Sequence, residues 1–129
     1  ERFDEAIEVT REAVALHPGV AKARYHLGLE LAFAGRAHWD EALQEFETAQ
    51  EIGFVKLLPT DIHNMETAYK EMLFAHVQDK DKDRVKRVAE QYKKINPDVA
   101  EDLDTVIELA ERGEWETLKE AFRTRKEET

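Results

Sequence analysis

Phe3-Asp4-Glu5-Ala6-Ile7 and Trp39-Asp40-Glu41-Ala42-Leu43 spell one five-residue box twice, aromatic-Asp-Glu-Ala-apolar, 36 residues apart. At the same offset Ala13 recurs as Ala49 and Leu16 as Ile52. A fixed period of this length marks a chain built from one supersecondary unit repeated, and each unit buries its apolar face only against its neighbours. Small residues such as Ala6, Ala42 and Ala49 let two helices approach closely. The aromatic at the head of each box plugs the gap behind a turn. A weaker echo, Gly113-Glu114-Trp115 with Leu118 and Phe122, lies near the end of the chain.

Outward from these boxes, helical periodicity covers almost every residue. Phe3, Ala6, Ile7, Ala13, Val14 and Leu16 share a broad face that stops at His17-Pro18-Gly19. A second segment, Ala21 to Ala34, clusters Tyr25, Leu27, Gly28, Leu31 and Ala32 and ends at Gly35. A third runs from about His38 to Ile52 with Phe46 inward. Gly53 to Pro59 reads as a loop with Phe54, Val55, Leu57 and Leu58. Thr60 or Asp61 is placed to cap a fourth helix carrying Met65, Tyr69, Met72, Leu73 and His76. A fifth spans Asp83 to Ile95 with Val85, Val88, Ala89 and Tyr92 inward. A sixth spans Asp98 to Arg112, and a seventh follows Gly113 and dissolves into a polar tail, Arg123 to Thr129. The fold class is all-α, with seven helices of roughly 13–18 residues, short connections and no strand pattern.

Composition agrees. The 129 residues are about one domain's length, and five glycines and three prolines argue against many turns. Apolar residues make up 42% and charged residues 37%, a soluble balance. A net charge of −10 disfavours a general nucleic-acid binder. No stretch approaches the ~20 apolar residues of a membrane span. The longest candidate, Tyr25 to Ala34, is interrupted by Glu30, so no membrane insertion is expected. Absence of cysteine excludes disulfide scaffolds, thiolate zinc sites and cysteine nucleophiles. It leaves the compartment open, with a soluble cytoplasmic domain favoured. Because Glu1 stands already inside a helical pattern, we expect a piece of a longer polypeptide.

With Leu27-Gly28 and Leu31 in one helix, Gly35 in the turn, then Ala42 and Phe46 in the next, the chain resembles the tetratricopeptide repeat (TPR) family. Residues 1–18 match the second half of a repeat, with Ala6 and Pro18 but Thr10 where an aromatic belongs. Residues 21–54 match a full repeat, with two extra residues around Arg36-Ala37-His38, Arg24 for the usual aromatic and Phe54 for the closing proline. Residues 60–97 and 98–129 read as divergent repeats, the last ending in a C-terminal helix. The resemblance implies a single TPR-like domain over 1–129: about three and a half repeats forming a right-handed superhelical solenoid of antiparallel helix pairs. The array opens in mid-repeat, so we expect the first helix to be covered either by an upstream helix of the full protein or by something else.

Chemistry-bearing motifs are scarce. His17, His26, His38, His63 and His76 include no pair four apart on one helix and no His-Glu-x-x-His, so no metal site is expected. His76, on an apolar face, reads as a core histidine, and His17 as a complement to a helix C-terminus. Asp79, Asp81, Asp83 and Glu90 fit places in a calcium-loop template, but Arg84 holds the place that demands glycine. An alternating-charge turn with an aspartate cap is the reading we adopt. Asp98 to Glu120 carries nine acids against two bases, and Lys80 to Lys94 carries seven bases against three acids. Mutual pairing of the two runs is favoured over docking of an acidic partner or RNA. No phosphate-cradling glycine loop, Gly-x-Ser-x-Gly or nucleophile with a recognisable base occurs. We expect no enzyme, no catalytic residue and no cofactor.

A binding surface remains. In this family the first helix of each pair lines a concave groove. Phase puts Lys22, Tyr25, His26, Leu29 and Phe33 there, and Thr67, Lys70, Glu71, Phe74 and Gln78 from the fourth helix. Such a lining suits a protein or peptide ligand with apolar anchors and an acidic group. The family's clamp for chaperone carboxylate tails is not expected, since its places hold Tyr25, Leu29, Glu71, Glu101 and Thr105. Two alternatives stand beside the peptide groove. One is a self-assembly or homo-oligomerisation module using open array ends or the Phe54–Leu58 loop. The other is a regulatory domain of a larger multidomain protein.

Overall fold

The structure, a computed structural model, describes residues 2–53 and 58–128. Among these residues it is all-helical, with seven α-helices and no strand. The helices are α1 (Arg2–Leu16), α2 (Ala21–Ala34), α3 (Trp39–Ile52), α4 (Pro59–Gln78), α5 (Lys82–Ile95), α6 (Ala100–Glu111) and α7 (Trp115–Glu128). Short 3₁₀ turns at Arg36–His38 and Pro97–Val99 lead into α3 and α6. Helix lengths run from 12 to 20 residues. Within the segment expected as an apolar loop, Phe54, Val55 and Leu57 lie outside the described residues, and Leu58 is 55% exposed.

The fourth helix starts earlier than the sequence indicates. Pro59 opens it, a position where the missing N–H costs nothing. Asp61 is therefore inside the first turn rather than before it, and its Oδ2 reaches back to accept the Leu58 N–H at 3.1 Å. Gly35 closes α2 at φ 145°, a conformation that favours glycine.

The chain groups into two compact units, Glu1–Ala68 and Tyr69–Thr129, with the boundary inside α4. In the first unit α1, α2 and α3 pack as consecutive antiparallel hairpins. Thr10 of α1 meets Glu30 of α2, and Trp39 at the start of α3 meets Ala32 near the end of α2. The α2–α3 contact is close because Gly28 has no side chain; a Cβ there would lie 2.6 Å from two ring atoms of Phe46. Phe46, Ala42 and Ala49 are fully buried beside Leu31 and Leu43. Each large apolar group contributes roughly 1.5–3 kcal/mol by leaving water. Trp39 sits behind the α2–α3 turn as the box reading expects, its Nε1–H donating to the Ala32 carbonyl at 2.9 Å while Arg36 lies over its ring.

α1 departs from its expected pattern. Ile7 and Val14 are buried, whereas Phe3 is 44% and Leu16 76% exposed and Ala13 is also exposed. The face read as inward is only half covered.

In the second unit Tyr69 stacks on Tyr92 with ring centroids 5.6 Å apart, and its hydroxyl donates to Gln91 Oε1 at 3.1 Å. Val85, Val88, Ala89 and Tyr92 are buried as the period of α5 predicts. Asp81 caps that helix, accepting the Arg84 N–H at 3.1 Å. His76 is buried in α4. The α5–α6 pair joins the basic and acidic runs directly: Lys93 reaches Asp104, and Lys86 lies 3.7 Å from Glu111. Lys86, Glu111 and Asp104 are exposed and Lys93 is half-buried, so the contribution of these pairs to stability is small.

Candidate functional site

Between α1 and α2 the first unit carries an open groove of about 660 Å³. α2 and the turn before it contribute Val20, Lys22, Ala23, His26, Leu29, Glu30 and Phe33; α1 contributes Phe3, Thr10 and Ala13. The antiparallel hairpin makes this arrangement, because it sets Phe3 at the start of α1 near Phe33 at the end of α2. The lining is mostly apolar.

Four of the sequence-predicted site residues, Lys22, His26, Leu29 and Phe33, share this groove. Phe33 is 38% exposed and the Lys22 side chain 53%. Leu29 is nearly buried and forms part of the wall. Tyr25 is a correction to the expected lining. It is fully buried, its ring turned into the core, where its hydroxyl lies 3.1 Å from Asp61 Oδ1. Burial and the Asp61 charge hold its phenol well above the ordinary tyrosine range. Tyr25 still touches the site indirectly, since the exposed His26 ring tilts against it with centroids 4.9 Å apart.

Lys70, Phe74 and Gln78 do not line this groove; they lie in the second unit. There Lys70 and Gln78 are exposed, and Phe74 meets Phe122 edge-on at 6.4 Å.

Phe3, Thr10, Ala13, Val20, Ala23 and Glu30 are lining residues that the sequence reading missed. Phe3 and Ala13 were placed on the inward face of α1. The signal that finds them is the width of the apolar stripe on α1, on which Phe3 and Ala13 stay exposed while Ile7 and Val14 are buried. The groove's polar groups are few. Thr10 donates its hydroxyl to the Glu30 carboxylate, which lies partly buried, and Lys22 Nζ stands 3.9 Å from Asp61. Such a site can take up an apolar side chain and set an acidic group beside Lys22 and His26.

Behind the groove a second polar contact orders the hairpin. Arg24 pairs with Glu45 at 2.8 Å, with side-chain exposures of 23% and 9%. Among the described residues no three His, Asp or Glu side chains converge as a metal site would require. No described helix is long and apolar enough to cross a membrane. No protein-family model, curated protein or solved structure matches this chain.

Proposed function

We propose that this chain is a non-enzymatic protein-interaction module, a TPR-like helical array that takes a protein or peptide segment in the groove of α1 and α2. One observation carries the reading: two exposed aromatic residues, Phe3 and Phe33, flank an open apolar groove whose rim holds Lys22 and His26. Aromatic anchors around an apolar centre with few polar groups are how peptide grooves gain affinity and orientation. The 36-residue offset between the two boxes and the close α2–α3 hairpin support the superhelical arrangement of antiparallel pairs, without a cofactor.

Selection of a random-peptide library on the purified protein tests this. Enriched peptides carry a bulky apolar residue and an acid, and Phe33→Asp combined with Lys22→Glu weakens them by about tenfold or more. Both positions are exposed, so circular dichroism of the variant stays that of the wild type. Enriched peptides that bind the variant equally well, or no enrichment at all, would sink the reading. A self-assembly module is the second reading, favoured by Val9 at 66% and Leu16 at 76% exposure on α1. A mass that rises with concentration separates it from a monomeric binder.

A further inference from the structure

We draw no further inference here: the strongest candidate, the exposed apolar surface of Leu16, Val20, Ile52 and Leu58 flanking the α1–α2 and α3–α4 connections, carries none, because nothing in the structure shows what covers it.

Discussion

The Tyr25 hydroxyl lies 3.1 Å from Asp61 Oδ1, and the other oxygen of the same carboxylate accepts the Leu58 N–H at 3.1 Å. One nearly buried acid therefore fixes both the position of α2 and the first turn of α4. Tyr25→Phe keeps the ring and removes the donor, and we expect a loss of about 1–2 kcal/mol in urea denaturation with helicity unchanged.

The same pair sets an alkaline limit. Burial, then the Asp61 charge, raises the folded-state Tyr25 phenol above its ordinary value of about 10. An unfolded chain releases that proton first. The stability is thus fully present below about pH 10 and falls as pH rises further. Phenolate absorbance should therefore lag in the folded protein, and Tyr25→Phe should flatten the stability loss above about pH 10.

Gly28→Ala tests the α2–α3 contact by its sign. In an ordinary mid-helix position this change stabilises by roughly 1 kcal/mol. Here the added Cβ would meet the Phe46 ring at 2.6 Å, and we expect a loss of about 1–3 kcal/mol instead. Adding Phe46→Leu should recover part of it in thermal denaturation.

Arg24 and Glu45 make the most enclosed ion pair described in the first unit. Arg24→Met strands the Glu45 carboxylate, which is 9% exposed, and should cost about 3 kcal/mol. Pairing it with Glu45→Leu should restore most of that loss. A double-mutant cycle measures the coupling, and additive losses would exclude it.

Acid sensitivity is expected at the α1–α3 contact. A hydrogen bond from the Arg11 guanidinium, with its charge, holds the Glu41 carboxyl below the ordinary glutamate range. Its contribution is present above about pH 4.3 and is lost as pH falls through the lower folded value. With side-chain exposures of 46% and 39%, screening keeps it under about 1 kcal/mol. Glu41→Gln should reduce the slope of stability against pH in that acid window and leave neutral stability nearly unchanged.

How far the fold was legible depended on the clarity of each helix's stripe. α5 alternates its apolar positions cleanly, and Val85, Val88, Ala89 and Tyr92 are all buried as expected. α2 is apolar almost all round, with Leu27, Gly28, Leu29, Leu31 and Ala32 all buried, so periodicity could not tell a groove wall from a core contact. Tyr25 was misplaced for that reason. α1 failed differently. Its apolar positions share a stripe wider than the surface its neighbours cover, and only the packing shows that Ile7 and Val14 are inside while Phe3 is not. The groove was therefore half readable: Lys22, His26, Leu29 and Phe33 came from the phase of α2, and the α1 wall required the hairpin.

The cross-helix contacts of the first unit join residues close in sequence. Thr10 and Glu30 are 20 residues apart, Arg24 and Glu45 21, Arg11 and Glu41 30, and Tyr25 and Asp61 36. Loop-closure entropy rises by only about 0.6 kcal/mol per doubling of length, so none of these closures is much harder than another. Each becomes possible as soon as its second residue leaves the ribosome, and none waits for the distal half of the chain. The order of synthesis is an order in which these hairpins can assemble, and local closure of this kind favours rapid folding.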